Sequence, residues 1–419
     1  MVWCRQATGS GFRGGTWNND GTNARVSDRN NAANTNTDRN NNNGARAAKT
    51  FHLPGRRREF LSPAFAFRIA MIDNVFDTII HRENLYRAAY AAAKGKRTSP
   101  AVARFNFFME REVSRLHDEL KSGVYRHGPY KVFKIYEPKE RDIAKALFRD
   151  RVVHHAVHDV IEPVIDRTFI FDSYACRNGK GTHIALDRAQ SFLRANKYCF
   201  HGDVRKYFPS IDHGILKRLI RRYVSDRRLL WLTDHVIDTS VALSPAGEAV
   251  GLPIGNLTSQ FFANLYLHEL DHFVKHGLQR RYYIRYMDDF LVFADSREEL
   301  EIVRSRIRLF LKEELNLNLH DAKSQIYKNR EGVKFLGFRL FNDGRRVAQD
   351  SVRRLRKRLA KFKYLLARGW MKESVAVESV LCWKAHSGHA NAAGLGNALA
   401  QEVATWNLAL SATLLYKPR

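Results

Sequence analysis

The sequence predicts an α+β fold, and three observations predict it. Between Arg281 and Asp295, two apolar runs rich in β-branched and aromatic residues flank a very short link, as in a tight hairpin. A second apolar run, Tyr198 to Gly202, ends in Asp203 and turns toward a helical stretch from Ile215 to Tyr223. From Ser351 the period becomes helical, with Val352, Leu355, Leu359, Phe362 and Leu366 on one stripe.

Composition bounds what such a fold does. A chain of 419 residues has length for a core and two or three subdomains. Its 70 Lys and Arg against 43 Asp and Glu leave a net charge of +27, which points to a polyanionic partner and salt-sensitive binding. The four cysteines (Cys4, Cys176, Cys199, Cys382) form no Cys-x-x-Cys pair, so neither disulfides nor zinc are implied. No signal peptide and no apolar run of membrane-spanning length is visible, so a cytoplasmic protein without a membrane partner is expected.

Along the chain, residues 1–70 come first, and the first fifty are Asn-heavy and almost without apolar residues. Such a segment cannot bury enough surface to offset its ordering entropy, and disorder is expected. From Lys131 to Ile143 the pattern is two strands joined by a charged turn around Pro138. Arg141 and Lys139 are placed there to grip a triphosphate, Arg in a bidentate way, unless the hairpin is simply solvated. Phe148 to Val157 reads as a helix with its apolar face inward; His154 and His155 have no partners at zinc spacing. Ser173 to His183 is a Gly- and base-rich loop suited to phosphate contact through Arg177 and Lys180, without P-loop spacing. Asp203 closes the next strand, and a carboxylate there is costly unless paired or ligated.

In Gly251-Leu-Pro-Ile254-Gly255-Asn256-Leu-Thr-Ser259-Gln260, two glycines and a proline permit a close backbone approach. A helix follows from about Ser259 to Val274. At Tyr286-Met287-Asp288-Asp289, adjacent carboxylates repel and lose solvation, a cost that divalent cations would offset; the alternative is a solvated turn. Two metals need a further carboxylate, which Asp203 supplies. The C-terminal helix carries Arg353, Arg354, Arg356, Lys357, Arg358, Lys361 and Lys363 opposite its apolar stripe, either as a solvated face or as a track for a nucleic-acid backbone.

Together, in this order, these motifs resemble the reverse transcriptases, over about residues 75 to 400. The resemblance implies a right-hand polymerase: fingers and palm over residues 71–345, the palm an antiparallel sheet packed on helices, and a helical thumb over 346–419. It implies Asp203, Asp288 and Asp289 as catalytic residues holding two Mg2+ ions, with the Val204 carbonyl as a further ligand. Phe208 matches the steric gate against a ribose 2′-hydroxyl, with core packing as its alternative. Lys323 matches a palm lysine that could protonate pyrophosphate, with a plain surface lysine as the alternative, and Phe335-Leu336-Gly337-Phe338 matches the primer grip. Ile254 and Gly255 fall beside the nucleotide, Arg177 and Lys180 near the template, and Arg354, Lys357, Arg358 and Lys361 along the duplex. The implied partners are template RNA, the RNA/cDNA duplex and deoxynucleoside triphosphates.

Most reverse transcriptases have Gln-Gly where this chain has Ile254-Gly255, and Ser-Pro at Ser259-Gln260. Both departures resemble the enzymes of diversity-generating retroelements, which copy a template RNA and misincorporate opposite its adenines. A Gln amide can restrict the pose of an incoming nucleotide; Ile254 has neither donor nor acceptor. One lost positioning contact is worth about 1 to 3 kcal/mol, or roughly ten- to a hundredfold in discrimination. The selectivity for adenine comes from the resemblance alone. Gly14 to Asn18 and Asn42-Asn43-Gly44-Ala45-Arg46 look like the translated variable repeat of the lectin-like targets of these elements, with Thr16 and Ala45 as departures. The reading frame is therefore expected to run through the template RNA, with translation starting at Met71; a disordered basic arm that binds RNA is the rival. The same resemblance implies a small basic accessory protein, a pentameric barrel. Rival identities are a group II intron maturase-like or retron-type enzyme, and a non-catalytic RNA-binding scaffold. A short C-terminus and the Ile254 and Gln260 substitutions speak against the maturase. A scaffold would be marked by a lost metal ligand, and all three aspartates are present.

Overall fold

Four helices open the computed structural model, which describes residues 71–406 apart from 137–139 and 240–241. The Asn-rich segment 1–70, with its questions of disorder and translation start, and Lys139 lie outside the described residues. Helices α1 (Phe76–Ile80), α2 (Arg82–Ala93), α3 (Pro100–Phe107) and α4 (Met109–Lys121) precede a two-stranded hairpin. In α4 the buried Val113, Leu116 and Leu120 recur at helical spacing, which fixes its inward face. The hairpin pairs β1 (Lys131–Ile135) with β2 (Arg141–Lys145) in antiparallel register, as the sequence predicts, and α5 (Phe148–Asp166) follows.

After α5 come α6 (Thr182–Arg194), β3 (Tyr198–Asp203), α7 (His213–Ile220), α8 (Arg227–Asp238), the short pair β4 (Ala242–Leu243) and β5 (Ala249–Val250), and α9 (Leu257–His272). Asp226 caps two helices at once. One carboxylate oxygen accepts from the amides of Arg228 and Leu229 at the start of α8, the other from those of Val75 and Phe76 at the start of α1. Then follow β6 (Tyr283–Tyr286), β7 (Asp289–Ala294), α10 (Arg297–Leu315) and β8 (Gln325–Lys328).

Strands β6, β7, β3 and β8 form one antiparallel sheet in that spatial order. Its central strand β7 is covered on both faces, so its residues Phe290 to Ala294 are buried without a polar alternation. Leu291 and Phe293 join Cys199 and Ile284 in a core with Ala185, Leu186, Ala189, Phe192 and Leu193 of α6. On the other face Phe290 meets the rings of Phe200 and Tyr283. The same core takes in β9 (Val333–Phe335) and β10 (Phe338–Leu340), which with β11 (Arg345–Val347) form a three-stranded sheet of order β11-β10-β9.

The last three helices, α11 (Gln349–Ala367), α12 (Glu373–Ser387) and α13 (Ala393–Ala404), have a small core of their own. Leu355 and Leu359 of α11 meet Val377, Val380, Leu399, Ala400 and Val403, with Phe362 and Trp383 at its edge. The α+β class is thus as predicted, with helices at the C-terminal end of the described residues. Among the described residues, no helix is long and apolar enough to cross a membrane.

Candidate active site

The three aspartates meet at one end of the central sheet because β3 and β7 are neighbours in register. Asp203 lies directly opposite Asp289, and Gly202 directly opposite Phe290. A methyl group on Gly202 would lie 2.2 Å from a carbon of the Phe290 ring, so only glycine lets β3 pass close under that ring beside the carboxylates. Tyr286 pairs with Asp289, which leaves Met287 and Asp288 as the two-residue tip of the β6–β7 hairpin. Met287 takes a positive φ of 58°, a conformation usually left to Gly or Asn.

That strained tip is held from beneath by a residue that sequence reasoning missed. Arg285 is completely buried and forms an ion pair with the equally buried Asp271 at 2.6 Å. Its guanidinium also donates to the side chains of Asn264 and Ser173 and, at 3.0 Å, to the main-chain carbonyl of Met287. The signal was present: an arginine inside an otherwise apolar strand, immediately before the Tyr-Met-Asp-Asp box, has to find a buried partner. The amide of Val204 donates to the Asp288 carbonyl at 3.3 Å, which ties the tip to the end of β3.

Burial raises the Asp288 carboxyl to about 6, and the nearby Asp203 and Asp289 push the same way, while Arg141 opposes them. Arg141, at the start of β2, is therefore close enough for its charge to be felt at the hairpin tip. Asp203 is gripped by Lys323, whose Nζ donates to Oδ2 at 2.5 Å. The main chain around Lys323 reinforces this, since the His320 amide donates to the Asp203 carbonyl and the Ser324 hydroxyl accepts from the Asp203 amide. Asp289 is held in the same way by His201, its Nε2 at 2.5 Å from Oδ1. Burial disfavours a charged His201, but the Asp289 carboxylate outweighs it and holds the imidazole above its ordinary range. His201 lies two residues before Asp203, on the same face of β3, and sequence reasoning did not single it out.

Three hard oxygen donors crowded until one resists ionisation suit a divalent cation. As they stand, the described residues contain no group of three or more His, Cys, Asp or Glu side chains poised to hold a metal ion. In the donor set proposed from the sequence, Asp203 and Asp289 each engage one carboxylate oxygen, Oδ2 with Lys323 and Oδ1 with His201, and each has a second oxygen with which to bind one.

The Gly251–Gln260 loop sits between the carboxylates and the β1–β2 hairpin. The Gly251 amide donates to the Ile211 carbonyl and the Leu252 amide to the Phe208 carbonyl. Phe208 itself is half-buried, five residues after Asp203, in a single 3-10 turn. Ile254 is half-buried too, and its carbonyl accepts from the Ala144 amide of β2. Asn256 clasps the same strand from its side chain, donating to the Ala144 carbonyl and accepting from the Ala146 amide. Gly255 has a φ of 113°, and a β-carbon on it would lie 2.8 Å from Ile143. The close approach this glycine permits within the chain is to strand β2.

The expectation of a phosphate contact through Arg177 is corrected. All five N–H donors of Arg177 are spent within the protein, on Asp166 and on the carbonyls of Asp166, Ile170 and Ser173, and its side chain is only 7% exposed. It staples its own loop and has no donor left for a phosphate. Lys180 folds back onto the Phe171 carbonyl at 2.9 Å and over the Phe171 ring. Lys323, read as a proton donor to pyrophosphate or a surface lysine, is the ion-pair partner of Asp203. Arg354, Lys357 and Lys361 lie exposed along α11, with Arg358 half-buried beside them.

Residues 137–340 match the family model for reverse transcriptase (RNA-dependent DNA polymerase). The chain is 28% identical over 285 residues to Protein YkfC of Escherichia coli, covering 58% of this chain and 74% of that protein. It is 23% identical over 323 residues to the group II intron-encoded protein LtrA of Lactococcus lactis, covering 61% of this chain and 53% of that one. A telomerase structure from Candida tropicalis aligns with a TM-score of 0.40 at 11% identity, over 52% of this chain and 48% of that one. The chain thus spans about half the length of the intron-encoded protein and of the telomerase chain.

Proposed function

Starting from a chain that carries a reverse transcriptase domain over residues 137–340, we propose that the protein is an RNA-directed DNA polymerase that copies a template RNA into cDNA. The observation that carries this reading is the register of Asp203 opposite Asp289, with Asp288 at the tip of the same hairpin. Two Mg2+ ions held by Asp203, Asp288, Asp289 and the Val204 carbonyl would supply activation of the primer 3′-hydroxyl and neutralisation of the departing pyrophosphate. Arg141 faces this site from β2 and is the residue assigned to the triphosphate. Phe208 lines the approach to the sugar, and Lys323 orients Asp203. The basic face of α11 follows the template–product duplex.

Within that activity, the protein relaxes fidelity opposite template adenines to diversify a target, assisted by a small basic accessory protein. Ile254 supports this part, because a side chain without donor or acceptor stands where most of the family has Gln. The similarity to a group II intron-encoded protein supports a second reading, a maturase-like or retron-type polymerase of ordinary fidelity.

Primer extension on a mixed-sequence RNA with Mg2+ and all four deoxynucleotides, followed by product sequencing, separates these readings. Errors concentrated opposite adenine support diversification, and low, even error supports the second reading. The Asp288→Ala variant should make no product while binding RNA nearly as well as the parent. Synthesis by that variant would overturn the metal assignment.

A further inference from the structure

Helix α11 ends in a device that the duplex-tracking role leaves unused. Gly369, at a φ of 68°, terminates the helix. Its amide donates to the Leu366 carbonyl at 2.9 Å, and the Trp370 amide reaches back to the Leu365 carbonyl at 3.0 Å. This paired closure is a Schellman motif, and it fixes the residue that follows the glycine. In such motifs that residue normally packs its apolar side chain against the last helical turn. Here Trp370 is 67% exposed, and Tyr364 beside it is 51% exposed.

The two rings lie edge to face with centroids 6.4 Å apart. The Arg368 guanidinium sits 4.2 Å from the Tyr364 centroid and 5.1 Å from that of Trp370. The cation orders the aromatic pair, and both rings keep surface in solvent. Tyr and Trp are enriched at interfaces, where a ring offers apolar area for stacking beside a polar edge.

The partner is indicated by what lies on the same helix face. Arg353, Lys357, Lys361, Tyr364 and Arg368 recur at helical spacing, opposite the Leu355–Leu359–Phe362 face that joins the local core. Lys357 and Lys361 are one turn, or about 6 Å, apart along the axis, and both are exposed. A row of cations that runs into a rigid aromatic pair is the chemistry of single-stranded nucleic acid: phosphates on the cations, unpaired bases on the rings. A duplex offers the phosphates but keeps its base faces covered.

We propose that Tyr364, Arg368 and Trp370 form a stacking site for unpaired RNA bases, fed by Lys357 and Lys361. The choice of RNA over other single strands rests on the polymerase reading above; the site itself does not. The test measures binding of labelled oligouridylate, and of a blunt RNA duplex of the same length, to the full chain and its variants. Tyr364→Ala and Trp370→Ala should each weaken oligouridylate binding by about tenfold and change duplex binding less than twofold. Trp370→Phe should keep most of the affinity. Lys361→Ala should weaken both ligands and flatten the salt dependence. Unchanged oligouridylate affinity in both alanine variants, or an equal loss on duplex, would overturn the proposal. Because the readout is binding, failure of the parent to synthesise DNA would count against the polymerase reading and leave this one standing.

Discussion

Replacing Arg285 with Met separates what holds the hairpin up from what makes it active. The substitution removes the guanidinium from a pair in which both side chains are 0% exposed. Asp271 keeps only the Tyr283 hydroxyl, at 2.8 Å, of its named side-chain partners. Breaking a buried pair on one side costs about 3 to 5 kcal/mol, because the remaining charge stays out of water. Against a typical total of roughly 5 to 15 kcal/mol, that is a large part of the stability. The double variant Arg285→Met/Asp271→Leu removes both charges and should recover to within about 2 kcal/mol of the parent, since an apolar pair of similar volume carries no desolvation penalty. Its activity should not recover. The Met287 carbonyl still lacks its donor, and the positive φ at Met287 costs about 1 to 3 kcal/mol whenever its support is gone. Equilibrium denaturation and primer extension on the three proteins read the two effects apart. Parental stability in Arg285→Met, or full synthesis by the double variant, would refute the reasoning.

Three further outcomes are expected. Gly202→Ala sets a methyl against the Phe290 ring beside the carboxylates and should cost about 1 to 3 kcal/mol, partly relieved by Phe290→Leu; thermal unfolding of the single and double variants checks this. Because Asp288 titrates at about 6, protons compete with metal there, so the Mg2+ concentration for half-maximal synthesis should fall as pH rises from 5.5 to 7.5. In the metal-free protein the sign is opposite: the stability this raised carboxyl contributes is fully present below its ordinary value of 3.8 and is lost as pH rises through about 6. A flat Mg2+ requirement across that range would remove Asp288 from the metal site. Ile254→Gln should lower misincorporation opposite template adenine by roughly ten- to a hundredfold, by restoring one positioning contact worth about 1 to 3 kcal/mol; sequenced extension products decide, and an unaltered error spectrum would take Ile254 out of the mechanism.

Much of this protein was legible in its sequence because the information was local. The Tyr286–Asp289 hairpin, the strand ending in Asp203, the β1–β2 hairpin and the amphipathic α11 are each dictated by period and turn chemistry over a few residues. The joining of Asp203 to Asp289 was also accessible, through the order of motifs, although 85 residues separate Asp203 from Asp288. What the sequence could not determine was the use to which each cation is put. Its basic, Gly-rich loop makes Arg177 look like a phosphate ligand, and its place in a strand gives Arg285 no such mark. Only the tertiary structure shows that both are consumed by internal partners, Arg177 by groups of its own loop and the preceding helix end, and Arg285 by Asp271, Asn264 and the distant Ser173. Lys323 and His201 likewise acquire their meaning only when folding brings them against Asp203 and Asp289. Turn and period follow from short-range sterics and solvation, which a sequence displays directly. The partner of a charge is decided by which groups lose their water together, and that is a property of the packed chain.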